Sequence, residues 1–155
     1  MNLYDEFFTI TRQLQESEIR YAVVGGIAMA FHGEPRFTRD IDVLVLPDAV
    51  GEVRTTLEDI GYFESSEPWT FTDTNITLRR FVKAEGEEYQ IVDVLAGHGK
   101  EHEEAIEHAL MQKAEKGTVR VVRREDLIRM KRQRNSDQDQ IDIQQLHDDK
   151  NRESG

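Results

Sequence analysis

The sequence predicts a mixed α/β (α+β) domain: a small mixed β-sheet flanked by helices. Three observations lead there. The chain has 155 residues, and domains typically run to ~100–200 residues, so one domain is expected. Short β-branched runs alternate with segments of helical period, which sets strands and helices in one layered unit. Two β-rich segments, 76–83 and 88–96, flank Ala84-Glu85-Gly86-Glu87, as in a hairpin with a short glycine-containing loop. Residues 1–147 read as that single domain. The polar tail 148–155 reads as frayed and disordered.

Each element has its own warrant. Leu3, Phe7, Ile10 and Leu14 recur at helical spacing, so 3–16 is an amphipathic helix. Tyr21 to Val24 is a short buried strand that ends in Gly25-Gly26. Ile27 to Phe31 suits a short helix, stopped by Gly33 and Pro35. Ile41 to Leu46 is a second strand. Pro47-Asp48 opens a helix to about Ile60, with Gly61 just past its end. Residues 64–70 read as an exposed loop before the hairpin. Lys100 to Glu115 reads as a helix with Ala105, Ala109 and Met111 on its inner side. Thr118 to Val122 is a short strand, Asp126 to Arg132 starts a helix, and apolar positions resume at Ile141, Ile143 and Leu146.

Composition excludes several function classes. There is no cysteine, which rules out disulfides, thiolate metal sites and cysteine nucleophiles and fits a cytoplasmic protein. The longest apolar run, Ala22 to Phe31, holds two glycines and is about half the ~20 residues a membrane span needs. The acidic start Met-Asn-Leu-Tyr-Asp-Glu is unlike a basic signal peptide. The net charge of −11 argues against extended DNA binding, which leans on Lys and Arg. Residues 120–134 run the other way, with seven cations against two carboxylates. They form either a guide for tRNA or another polyanion, or a solvated helix face paired with nearby acids.

The chemistry concentrates in 21–46, YAVVGGIAMAFHGEPRFTRDIDVLVL. Gly25-Gly26 stands between a strand and a helix, where glycine lets the backbone approach a bound anion. Asp40-Ile41-Asp42 opens a strand, and a period of two sends both carboxylates to one face while Ile41, Val43 and Val45 point to the core. Adjacent carboxylates repel unless a cation lies between them. An oxygen-only donor set suits Mg²⁺ or Mn²⁺. Asp93 sits inside the apolar run Tyr89-Gln90-Ile91-Val92-Asp93-Val94-Leu95, where an unpaired carboxylate is costly. It is a candidate third member of the cluster, able to take a proton from an attacking hydroxyl.

This order of motifs resembles the DNA polymerase β-type nucleotidyltransferase superfamily: G-G, then Arg36, Thr38 and the Asp40/Asp42 pair, then an isolated strand Asp. It is most similar to small prokaryotic members, including abortive-infection type nucleotidyltransferase toxins. A C-terminal signature agrees, in Glu125-Asp126-Leu127-Ile128 with Lys131, then Asp139, Asp142, Ile143 and Leu146. The resemblance spans roughly 20–147. It implies a nucleotidyltransferase-like fold and transfer of an NMP from an NTP, ATP among the candidates, to an acceptor hydroxyl. Asp40, Asp42 and Asp93 would be catalytic and hold Mg²⁺ or Mn²⁺. Gly25, Gly26, Arg36, Thr38 and Lys131 would bind the nucleotide. The acceptor would be RNA such as tRNA, a protein or a small molecule, and the setting could be a toxin–antitoxin pair with an antitoxin or other protein partner. Two departures stand out. Ile27 follows the glycines where many relatives have Ser, and Ser136 stands near the place of a family Arg, which Arg134 could replace.

Other readings compete. The fold could serve as a catalytically weak or inactive module that binds nucleotide or a protein partner. A D-x-D glycosyltransferase is a third reading, disfavoured by the Gly-Gly placed before the D-x-D and by Asp93. His98, His102 and His108 read as a solvated surface rather than a metal site, and His32 as a packing residue. Trp69 and Phe71 are candidates for stacking a base but better suited to packing.

Overall fold

The computed structural model describes residues 1–34, 37–71 and 74–154, with side chains described up to residue 148. Helix α1 spans Leu3–Glu16. Asn2 caps it by accepting from the Asp5 amide at 3.1 Å, and Asp5 and Glu6 suit the positive end of its dipole. Its apolar stripe, Phe7, Ile10 and Leu14, is fully buried. Strand β1, Ala22–Val24, is buried throughout, which explains its unbroken apolar run. Helix α2, Gly25–Phe31, follows with no intervening loop. Strand β2 is Asp40–Val45. Pro47–Ala49 forms a single 3₁₀ turn that leads into α3, Val50–Asp59. Gly61, with φ +95°, turns the chain out of it.

The hairpin is longer than its sequence pattern suggests. Strand β5 is Ile76–Glu85 and β6 is Glu88–Gly97. The turn is the pair Gly86-Glu87, with Gly86 at φ +62°. Residues 64–70, expected as a loop, instead hold two short strands, β3 (Phe63–Glu64) and β4 (Trp69–Thr70), both antiparallel to β5.

The largest correction concerns 100–115. Helix α4 covers Lys100–Glu107 only, and Leu110–Ala114 is strand β7, paired with β8, Gly117–Val121. The local sequence LMQKA favours helix. Continuing the helix would leave the edge of β8 unpaired, whereas a two-residue turn at Glu115-Lys116 pairs it. Pairing overrides propensity here. Met111, expected on an inner face, is exposed. Helix α5 is Arg124–Arg134 and α6 is Asp137–Ser154. The backbone of 148–154 thus continues α6, while Gly155 lies outside the described residues.

The strands form one mixed sheet in the order β3-β5-β6-β2-β1-β8-β7, with β4 also on β5. Strand β2 lies antiparallel to β1 and parallel to β6. Parallel pairing of β2 with β6 aligns Asp40 with Ile91, Asp42 with Asp93 and Leu44 with Leu95. One face of these two strands therefore carries Ile41, Val43, Val45, Val92 and Val94, all buried in the single core. The other face carries the acids. No helix among the described residues is long and apolar enough to cross a membrane.

Candidate active site

Three strands and one turn build the site. Register places Val24, Asp42 and Asp93 side by side on β1, β2 and β6. Asp40 lies two residues before Asp42 on the same face. The chain turns at Gly25, where φ is +71°. A Cβ there would lie 2.8 Å from Asp42 Cγ and closer still to its Oδ2. The backbone thus passes directly against the Asp42 carboxylate, which no side chain would permit. Gly26 is close-packed for a different reason: a Cβ would lie 2.7 Å from Thr38 Oγ1. Thr38 also donates to the Asp40 carbonyl at 3.3 Å, so it steadies the entry into β2.

A pocket opens over this row. Gly25, Asp42 and Asp93 line its floor, and Phe71, Ile76, Leu78 and Leu95 supply apolar walls. Helix α5 closes it with Leu127, Met130, Lys131 and Arg134. The structure therefore brings together four of the sequence-derived candidates: Gly25, Asp42, Asp93 and Lys131. Asp40 faces an adjoining cleft with Phe37, Thr38 and Tyr89. Arg36 lies outside the described residues.

Electrostatics set the acids apart from ordinary carboxylates. Burial, then the charges of Asp93 and Asp40, pushes Asp42 up to about 7, against the opposing pull of Arg134 and Lys131. Asp40 is also raised, by burial and then by Asp93, with Arg80 and Arg39 opposing. Asp93 is almost fully buried and has a partner that the sequence reading did not name. Arg80, its cross-strand neighbour on β5, donates Nε to Oδ1 at 2.9 Å and Nη2 to Oδ2 at 3.0 Å. Arg80 also lies 5.7 Å from the centre of the Trp69 ring. A signal for Arg80 was present. It is the cation on the strand face that carries Ile76, Leu78 and Val82, and a two-residue turn at Gly86-Glu87 sets it opposite the acid inside the apolar run of β6.

Helices α5 and α6 explain the C-terminal signature. Ser136 and Asp139 form a reciprocal cap at the start of α6: the Asp139 amide donates to Ser136 Oγ at 3.0 Å, and the Ser136 amide to Asp139 Oδ2 at 3.0 Å. Arg134 grips the same carboxylate through two bonds of 2.8 Å. Burial would raise Asp139, but the Arg134 fork and the Ser136 hydroxyl and amide outweigh it and bring it down to about 2. Lys131 donates to Asp142 at 2.8 Å and lies 3.6 Å from Asp139. So Lys131 and Arg134 are fixed at the pocket rim by the two buried acids of α6. Arg134 lines the pocket two residues before Ser136.

The remaining sequence candidates separate from the site. His102, expected at a solvated surface, is fully buried, because Nδ1 accepts from the Gly99 amide at 3.1 Å and the ring packs over Gly97. His98 bonds Thr77 at 3.1 Å, and His32 bonds the Val122 carbonyl at 2.7 Å. The basic run 120–134 does not form one face. Arg120 donates to the Ile106 carbonyl at 2.6 Å, Arg123 to Asp126 at 2.8 Å, and Arg132 meets His147 at 3.1 Å.

Comparison with solved structures supports the fold. A Thermotoga maritima protein with a provisional nucleotidyltransferase assignment is similar at TM-score 0.62 and 12% identity, over 82% of this chain and 81% of that one. The lincosamide antibiotic adenylyltransferase LnuA, solved with lincomycin, gives TM-score 0.59 and 16% identity over 92% and 95%. The antibiotic-resistance factor ANT(2″)-Ia gives TM-score 0.55 and 19% identity over 84% and 71%. No curated protein matches the sequence. A family model matches residues 4–154, nearly the whole chain and every element of the pocket, and the chain belongs to that family, the nucleotidyl transferases of unknown function (DUF2204).

Proposed function

We propose that the protein transfers a nucleoside monophosphate, with ATP the leading donor, from an NTP to the hydroxyl of a small-molecule acceptor. The observation that carries this reading is the pairing of Asp42 with Asp93 above Gly25, in a pocket with cations on one rim and apolar walls on the other. The donor set fits a hard divalent cation. It offers carboxylate oxygens only, and the raised Asp42 marks an excess of negative charge that a cation would relieve. Asp40 and Asp42 would hold Mg²⁺ or Mn²⁺, with Asp93 completing the set. Such an ion supplies charge neutralisation at the transferring phosphoryl group.

The chain's own residues then divide the work. Gly25 and Gly26 let the backbone seat the phosphates, and Thr38 and Lys131 flank them. Asp93 takes the proton of the acceptor hydroxyl. The acceptor oxygen bonds the α-phosphorus while the bond to the pyrophosphate oxygen breaks. Arg134 and Lys131, already anchored, offset the charge that develops.

A small acceptor suits the molecule better than RNA. The net charge is −11, and the cations of 120–134 already have internal partners. The similar structures include two proteins that act on or resist antibiotics. A toxin–antitoxin setting draws no support from these relatives. A second reading, a binding module with weak or no catalysis, is favoured by the occupied state of Asp93 and Lys131 and by Ile27 in place of a hydroxyl.

Thermal shifts with ATP, GTP, CTP and UTP, each with and without Mg²⁺, test the reading on wild type and Asp42→Ala. Ligand binding to the native state raises Tm by mass action. A Mg²⁺-dependent rise with one NTP, lost in the variant, followed by pyrophosphate release with a hydroxylated small molecule, is the expected result. A rise without pyrophosphate release across such a panel leaves the binding module. No rise with any NTP removes the catalytic reading and leaves a module that binds a protein partner.

A further inference from the structure

We propose that Arg80 is a positioning residue that keeps Asp93 closed to cations until nucleotide arrives, by acting as its built-in counter-ion. This rests on the nucleotidyl-transfer reading of the site. Arg80 binds both Asp93 oxygens at once, at 2.9 and 3.0 Å, so a cation shared between Asp93 and Asp42 has to compete with a guanidinium already seated there. Among the described residues no three His, Cys, Asp or Glu side chains are grouped to hold a metal ion, so Asp42 and Asp93, set opposite each other by register, would need nucleotide phosphates to complete a cation's ligands. The pair is asymmetric. The Asp93 side chain is 5% exposed and that of Arg80 is 34% exposed. The carboxylate cannot leave, and the guanidinium can. Trp69, from the short strand β4, supplies an aromatic face 5.7 Å from the guanidinium and steadies it in place.

Cation loading then becomes an exchange. A divalent ion takes the Asp93 oxygens, and the displaced guanidinium, still tethered beside the pocket, meets the phosphates of the nucleotide. Each ligand supplies what the other displaces, so nucleotide and cation favour one another's binding through a single side chain. The fork geometry is specific to arginine.

Direct Mn²⁺ binding, read as loss of the free-ion EPR signal, tests this without turnover. The variants are Arg80→Gln, Arg80→Lys, Trp69→Leu and Asp42→Asn, each checked for folding by circular dichroism. Without nucleotide, Arg80→Gln is expected to bind Mn²⁺ roughly tenfold more tightly than wild type. Arg80→Lys should fall between them, Trp69→Leu should tighten binding slightly, and ATP at saturating Mn²⁺ should bind Arg80→Gln more weakly. A folded Arg80→Gln with unchanged or weaker Mn²⁺ affinity overturns the proposal. If that variant does not fold, Arg80→Lys and Trp69→Leu decide, and wild-type affinity in both overturns it. Asp42→Asn separates the two levels. If it weakens Mn²⁺ binding while the Arg80 variants do nothing, only the Arg80 role falls. If it has no effect on Mn²⁺ either, the nucleotidyl-transfer reading falls as well.

Discussion

Gly25→Ala isolates the contact on which the site depends. At φ +71° an alanine costs about 1–2 kcal/mol in the left-handed region. The new methyl would also lie 2.8 Å from Asp42 Cγ, forcing that side chain off its rotamer at about 0.5–1.5 kcal/mol. The sum is about 1.5–3.5 kcal/mol, or a fall in Tm of roughly 3–14 °C for a chain of this size. Urea denaturation gives the free energy, and a double-mutant cycle with Asp42→Ala locates it. With the carboxylate gone, the rotamer part should vanish and leave a coupling of about 0.5–1.5 kcal/mol. Gly51→Ala is the control. Gly51 lies inside α3 with nothing within 4 Å of a Cβ, so alanine should stabilise by about 0.5–1 kcal/mol. If Gly25→Ala is as stable as wild type, or additive with Asp42→Ala, the backbone does not pass over Asp42 as described.

Four more outcomes follow from the geometry. Asp42 stands at about 7 in the folded protein against 3.8 unfolded, so the native state holds the proton more tightly. Without metal, stability should therefore fall as pH rises from about 4 to 7 and level off above. Asp42→Asn should remove that slope, and Mg²⁺ should stabilise wild type more at pH 8 than at pH 5. Ser136→Ala removes one half of the α6 cap and should cost about 1 kcal/mol. Asp139→Asn leaves Arg134 without its buried counter-charge, while Lys131 keeps Asp142, and should cost about 3 kcal/mol or more by urea denaturation. Leu146→Ala, at a fully buried position of α6, should cost about 2–5 kcal/mol if α6 is part of the core, and a loss under ~0.5 kcal/mol would detach α6 from the domain.

The sequence foretold those parts of the molecule where one local signal decides. The helical period of α1, the apolar run into Gly25 and the D-x-D alternation each needed no distant information. The fate of Leu110–Ala114 did need it, because its helical propensity is overruled by the edge of β8, which follows it in the chain. His102 was misplaced for a similar reason. Its surroundings in sequence are polar, and only the fold of Gly97 against its ring buries it. Within the site, the three acids could be read from spacing, but not their inequality. Arg80 makes Asp93 an ion-paired group and leaves Asp42 with the excess charge, and that follows from the hairpin's turn, two residues shorter than the loop its composition suggests.

The long hairpin also guards against misfolding. In a strand pair, slipping by one residue sends every side chain to the opposite face. Such a slip of β6 against both β2 and β5 would drive Asp93 into the layer now filled by Val92 and Val94, away from Arg80, and expose those valines to water. The penalty for one buried, unpaired carboxylate is several kcal/mol, comparable to the stability of a whole small domain. The acid that serves the pocket therefore also proofreads the alignment of the strands beneath it, and replacing it with a neutral aliphatic residue would free the hairpin to settle in more than one alignment.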